Sequence, residues 1–174
     1  MIDLLRTRRS IRKYTAEPVA AAARATLEEA LLRAPSSRNR RPWEFVFVDD
    51  REKLEALARA KPHGASFLRG AALGIVICGD PAQCDVWVED CSIAAFIAHA
   101  QAHALGLGSC WVQIRGRAHD DATSASAHVR QLLAIPEALE VLAIVGVGHP
   151  AESKEGWPED KLARAKIWSN RYGA

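Results

Sequence analysis

The chain of 174 residues lacks a charge excess: 23 lysines and arginines face 21 aspartates and glutamates. A protein that grips a long nucleic acid spreads basic charge over a whole face, so no nucleic-acid partner is expected. No apolar run approaches the roughly 18 residues that suggest a membrane span, and no membrane partner is expected. The opening, MIDLLRTRRS, lacks the long apolar core of a secretory signal; a cytoplasmic protein is expected. Cysteine is scarce. Cys78, Cys84, Cys91 and Cys110 make no C-x-x-C pair, and a chain this long can build a core without disulfides. Buried free thiols are the expectation. Among the histidines only His99 and His103 stand at an i,i+4 spacing. With no second pair to complete a ligand set, no metal is expected. Repeats, linkers and low-complexity stretches are also absent, so one domain over residues 1–174 is expected.

Glycine-rich phosphate loops are missing too. ALGLGSCW contains Gly106-x-Gly108, but Trp111 stands where a third glycine is needed. The glycines follow a helix pattern and lead into a strand pattern, the reverse of the strand–turn–helix order that cradles a dinucleotide. Gly106 reads instead as a helix stop in the left-handed conformation. There is no G-x-x-x-x-G-K-[ST] motif. Any phosphate here is held by side chains.

What is present alternates between two periodicities. Residues 2–8 can form a short helix ending in a basic cluster, and Pro18 is placed to open a helix over 19–34. WEFVFVDD (43–50) is β-rich, and residues 51–60 read as a second helix. Residues 61–70 are a loop with at most a helical turn. AALGIVICGD (71–80) is a buried strand. Residues 86–105 form a long helix, apolar nearly all round, that belongs in a core or against a second subunit. Residues 106–116 turn from helix to strand, 126–135 are a short helix, and 140–150 a last strand. Four strands separated by helices would by alternation alone suggest a parallel, doubly wound sheet.

Two clusters carry chemistry. RTRRSIRKY places Arg6, Arg8, Arg9, Arg12 and Lys13 in nine positions around Ser10. Guanidinium forks match phosphate oxygens and stay charged at any working pH; taken alone, the cluster is equally a solvated basic terminus. APSSRNRRPWEF sets Pro35, Ser36, Ser37 and Asn39 ahead of Pro42-Trp43. Hydroxyls and amides on a stiff loop can orient a polar, planar ligand, and Pro42-Trp43 can equally be strand-start packing.

With these motifs the sequence resembles the nitroreductase family of flavin mononucleotide (FMN) enzymes. RRSIRKYTAEPV is similar to that family's opening, APSSRNRRPWEF to its Pro-Ser-x-x-Asn-x-Gln-Pro-Trp signature, LGLGSCWVQIRGR to its third motif, and AIVGVGHPAESK to its fourth. The resemblance covers residues 2 to about 155, and the length and SCWVQIR segment look like the compact NAD(P)H nitroreductase branch. It implies an α+β fold with a central, mainly antiparallel sheet flanked by helices, in an intertwined homodimer. The tail, residues 151–174, would reach the partner; its Trp157, Trp168 and Tyr172 need a surface to pack on.

The same resemblance implies a site. Arg8, Arg9, Ser10 and Arg12 would hold the phosphate, ribityl chain and pyrimidine edge of FMN. Pro35, Ser36, Ser37 and Asn39 would approach that flavin from the other subunit. Trp111, Val112 and Gln113 would lie along the isoalloxazine, and Lys154 would add a phosphate contact. NADH or NADPH would give hydride to flavin N5 and leave, and an electron-poor acceptor (nitroaromatic, quinone or similar) would then be reduced in a ping-pong cycle, with no catalytic side chain required. Arg12 or Arg41 could stabilise negative charge on the reduced pyrimidine. Arg41 departs from the family's usual glutamine, and Ser66 from its usual nearby asparagine. A flavin-binding sensor, carrier or flavin-handling protein on the same fold is the alternative.

Overall fold

The computed structural model describes residues 1–173. Four strands, β1 (Trp43–Val48), β2 (Leu73–Gly79), β3 (Gly108–Gln113) and β4 (Glu140–Gly148), form one sheet in the order β1-β2-β4-β3. Every neighbouring pair is antiparallel. All four strands lie where the β-rich runs placed them, but alternation misleads about direction. β2 and β3 both run opposite to β4, so they are parallel to each other and joined by a helical crossover, as alternation suggests. The late strand β4 then inserts between them, making a split β-α-β unit.

The helices are α1 (Ile2–Thr7), α2 (Ala21–Leu32), α3 (Arg51–Leu57), α4 (Trp87–Ala104) and α5 (Ala125–Leu133). Helix α2 starts three residues after Pro18, with Ala20 in extended conformation at its N-cap and no side-chain cap. Better caps fix α3 and α5, where Asp50 and Ser124 accept backbone N–H bonds from Lys53 and Ala127.

β2 is buried along its whole length, so both its faces are covered. On one face Leu73, Ile75 and Ile77 pack with α2 and α4 through Leu27, Leu31, Ala94, Ala95 and Ala98. On the other, Val76 and Cys78 join α3, α5 and the 66–70 turn through Leu54, Leu57, Leu68 and Val129. The continuous apolar runs of β2 and β4 follow from this two-sided burial. All four cysteines are buried free thiols, and burial raises those of Cys78 and Cys91 to about 12. Among the described residues no helix is long and apolar enough to cross a membrane, and no cluster of potential metal ligands occurs.

Helix α4 ends as its glycine foretells. Gly106 has φ +75°, its N–H bonds the His103 carbonyl, and Leu107 N–H reaches back to Ala102. This is the Schellman arrangement that satisfies the last carbonyls. Gly106→Ala forces a side chain into the left-handed region and should cost about 1 kcal/mol, visible as a lower urea midpoint with unchanged slope.

Candidate functional site

The basic cluster lies against the edge of the sheet. Ser10 forms a parallel bridge with Ser109 of β3, and Ile11 N–H bonds the Ser109 carbonyl at 2.9 Å. The contact is tight because Gly108 has no side chain: a Cβ there would stand 2.7 Å from Ile11 Cγ2. Beyond Ile11, the Tyr14 hydroxyl donates to the Ile11 carbonyl at 2.6 Å and lies 3.2 Å from that of Gly146. Burial raises the Tyr14 phenol well above its ordinary pKa, so it stays a neutral donor.

The C-terminal segment closes on the same cluster. Lys154 Nζ donates to the Ser10 carbonyl at 2.9 Å and lies 3.1 Å from Glu152. The Glu152 carboxylate accepts the Arg12 N–H at 2.6 Å, with Lys13 N–H at 3.3 Å. The Arg12 bond, then Lys154, holds its carboxyl below the ordinary range. Arg9 donates to the Glu155 carbonyl. Among the described residues, no carboxylate forms an ion pair with Arg8, Arg9 or Arg12. The guanidinium groups of Arg8, Arg9 and Arg12 are thus left without a carboxylate, while Glu152 pairs with Lys154 and Asp3 with Arg6.

The second motif sits elsewhere. Arg38, Asn39 and Arg41 all hold left-handed backbone, φ 51°, 55° and 50°. None is glycine, so the segment stores strain. Ser36 Oγ accepts Arg41 N–H at 2.8 Å, Asn39 Oδ1 accepts Arg41 Nε–H at 2.9 Å, and Ser37 N–H bonds the buried Asp90 on α4 at 2.9 Å. Pro35 leads into this turn and Pro42 leaves it for β1.

The third group lies on β3, an edge strand. Trp111 and Gln113 share the Ser109 face by strand alternation. The Trp111 indole donates to Gln113 Oε1 at 3.0 Å, and its ring lies parallel to that of His99, centroids 6.4 Å apart. Val112 is fully buried in the opposite core layer, and strand parity turns its backbone groups toward β4, so it offers a ligand on the open edge neither side chain nor backbone. Where β3 ends, β4 carries a bulge at Leu142, whose carbonyl accepts both Ile114 and Arg115 N–H.

Helix α4 ties these groups together. Asp90 near its start anchors the 36–41 turn; His103 near its end hydrogen-bonds Thr7 at 2.8 Å. At about 1.5 Å rise per residue those anchors are about 20 Å apart. They also serve opposite edges of the sheet, β1 and β3. One chain therefore brings Arg8, Arg9, Ser10, Arg12, Trp111–Gln113 and Lys154 together, but not Pro35, Ser36, Ser37, Asn39 or Arg41.

Sequence reasoning missed several residues. Glu152 and Asp90 are carboxylates whose backbone partners lie far away along the chain, a pairing no local pattern reveals. Arg69 and Phe67 join Arg12 and Ser66 around a cavity of about 450 Å³; of this loop only Ser66 is singled out by the sequence.

His99, whose spacing to His103 marks it in the sequence only as half of an incomplete ligand set, has a different role in the fold. It is buried, with Nδ1 2.8 Å from Ser109 Oγ, and burial followed by the Arg8 charge lowers its pKa to about 4. Its folded pKa lies below the ordinary 6.5, so unfolding takes up a proton between those values. Stability is therefore fully present above about pH 6.5 and falls as pH drops toward 4, by an amount on the order of 3 kcal/mol. His99→Gln should flatten the pH dependence of the urea midpoint in that window.

The family model described as "Nitroreductase family" matches residues 5–149. A provisionally named NADH dehydrogenase/NAD(P)H nitroreductase of Archaeoglobus fulgidus is 34% identical over 163 residues, covering 91% of this chain and 90% of that protein. The structure of an FMN-dependent nitroreductase from Clostridium difficile R20291 superposes with TM-score 0.97 at 42% identity, over 99% of this chain and all of that one. The NADPH:FMN oxidoreductase of Vibrio harveyi complexed with NAD+ gives TM-score 0.83 at 28% identity, over 99% of this chain and 78% of its own. The chain belongs to the nitroreductase family.

Proposed function

We propose that two copies of this chain hold FMN at shared sites and use NADH or NADPH to reduce a small, electron-poor acceptor such as a quinone or nitroaromatic. The observation that carries this is the division of the site. The phosphate-binding residue types lie at one end of α4, and the strained Ser-Ser-Arg-Asn turn lies about 20 Å away at the other. A second copy, apposed across α4, supplies the missing half.

The residues fit the group. Arg8, Arg9 and Lys154 match a dianionic phosphate in charge and donor geometry. Ser10 and Arg12 lie next along the same segment, for the ribityl chain and pyrimidine edge. The outer edge of β3 has no partner strand among the described residues beyond the Ser10 bridge. Ser109 turns its carbonyl outward to Ile11, so by strand alternation the backbone groups of Trp111 and Gln113 also face outward and are available to the isoalloxazine, whereas those of Val112 face β4. Ser36, Ser37 and Asn39 come from the other copy, where the internal hydrogen bonds of the turn keep their backbone in place. FMN held by these residues would supply the hydride-transfer chemistry between the reductant and the acceptor, the two using the site in turn.

The relatives support this assignment: proteins named FMN-dependent nitroreductase, NADPH-flavin oxidoreductase and FMN reductase all share the fold or sequence. Apolar surface supports the pairing. Ile93 and Phe96, on the outer stripe of α4, are 43% and 42% exposed, and Trp157, Trp168 and Tyr172 of the tail are exposed as well. In the dimer α4 packs on its counterpart and the tail reaches across.

The purified protein should be yellow, bleach anaerobically with NADH or NADPH, and recover colour on adding a quinone. Initial rates over both substrates should give parallel double-reciprocal lines. Bound FMN that neither nicotinamide reduces would instead make this a flavin carrier or sensor.

A further inference from the structure

Lys61, Pro62, His63, Arg117 and Ala118 line a cavity of about 430 Å³ that none of the assignments above uses. Two of its residues carry fixed positive charge. Among the described residues neither Lys61 nor Arg117 forms an ion pair. Ordinary surface cations disperse or find carboxylates, because converging like charges is unfavourable. Here burial, and then repulsion from Arg117, lowers the Lys61 pKa. An anion between them would reverse that effect.

The walls are built rather than loose. Arg117 N–H bonds the Ile114 carbonyl and its own carbonyl accepts from Ala125, while Ala118 bridges Ser124. The tip of this hairpin is closed by Asp120, whose side chain takes the N–H groups of Ala122 and Thr123. Both bonds use Oδ1, while Oδ2 lies 3.9 Å from His119 Nε2 and so faces the histidine, with no ion pair to Lys61 or Arg117 among the described residues. His119 joins the two walls: Nδ1 lies 3.2 Å from the Ala60 carbonyl, and its ring stacks on His128 at 3.7 Å.

One wall of the cavity continues the proposed flavin strip: Ile114, whose carbonyl receives the Arg117 N–H, directly follows Gln113 at the end of β3.

We propose that Lys61 and Arg117, with His63 beside them, form an anion subsite for a molecule that reacts at the flavin. Its ligand is an oxyanion group, either a phosphate of the nicotinamide reductant or a carboxylate on the acceptor. The second half of this proposal rests on the FMN assignment; the binding of an anion does not.

The test uses Lys61→Gln, Arg117→Gln and the double variant, all FMN-loaded. Calorimetric titration with inorganic pyrophosphate should show binding to the wild type, weaker by about tenfold or more in the double variant. Two kinetic arms identify the source. A raised KM for NADPH, with KM for 4-nitrobenzoate and 4-nitrobenzamide unchanged, assigns the reductant's phosphate. A raised KM for 4-nitrobenzoate, with that for 4-nitrobenzamide unchanged, assigns the acceptor's carboxylate.

Equal pyrophosphate affinity in wild type and double variant overturns the proposal. So does weakened FMN binding in the variants, which would place these residues in the flavin site itself, and so does a KM unchanged in both arms. If the wild type takes up no FMN, the function proposed above fails instead. Pyrophosphate titrated into the Arg8→Ala/Arg9→Ala background, with and without the two glutamines, then still decides the subsite.

Discussion

Replacing Arg8 and Arg9 together with alanine will weaken FMN binding by about 100- to 1000-fold, two charge-assisted bonds at roughly 1.5–3 kcal/mol each, partly offset by remaining donors. Lys154 remains after the double replacement, so binding is weakened rather than abolished. The fold should survive. Neither arginine has a carboxylate partner among the described residues, and the segment is held by backbone bonds of Ile11 and by Tyr14. Equilibrium dialysis against FMN, with circular dichroism as the folding control, measures both parts. Unchanged affinity would remove the phosphate assignment and leave the cluster as a solvated basic terminus.

Phe96→Glu should have a comparably large effect through a different route. Phe96 and Ile93 stand on the outer stripe of α4, whereas Ala94, Ala95, Ala98 and Ala102 face the core. The substitution therefore spares the interior of the chain. Across a two-fold interface each change counts twice. Burying a large apolar side chain contributes roughly 1.5–3 kcal/mol, and a buried unpaired carboxylate adds a penalty of several more. Dimerisation should weaken by roughly 1000-fold or more, and sedimentation should show a monomer that keeps its secondary structure but has lost its flavin. A monomer that still binds FMN with wild-type affinity would show that one chain holds the whole site.

Much of the fold was legible in the periodicities. The four strands and the helices 51–57 and 87–104 fall within the predicted runs, and 125–133 begins one residue ahead of its run, because each buries a stripe or a whole strand that only one period satisfies. Strand direction was not legible locally. β4 pairs between β2 and β3 for reasons that lie in long-range packing, and nothing in EVLAIVGVG itself records its neighbours. The start of α2 was also placed too early, since Pro18 and Val19 fit a first turn as well as they fit the approach to one.

For the site, residue types were readable and their grouping was not. Guanidinium clusters and a Pro-Ser-Ser turn stand out in the sequence, whereas Trp111, Val112 and Gln113 come only with the family resemblance. That Lys154 reaches Ser10, that Glu152 caps the backbone of Arg12, and that Asp90 anchors Ser37 are consequences of tertiary closure. The left-handed backbone of Arg38 and Arg41 was equally hidden, since arginine gives no hint of positive φ; only Asn39 is of a type that favours it.

Subunit complementation tests the shared site most directly. One chain carries Arg8→Ala/Arg9→Ala; a differently tagged chain carries Ser37→Ala/Asn39→Ala; each alone should bind FMN poorly. After mixed refolding and purification through both tags, each mixed dimer should regain a single high-affinity FMN site, assembled from the intact basic cluster of one chain and the intact turn of the other. Mixed dimers that bind no better than either parent would contradict a flavin clasped between two chains.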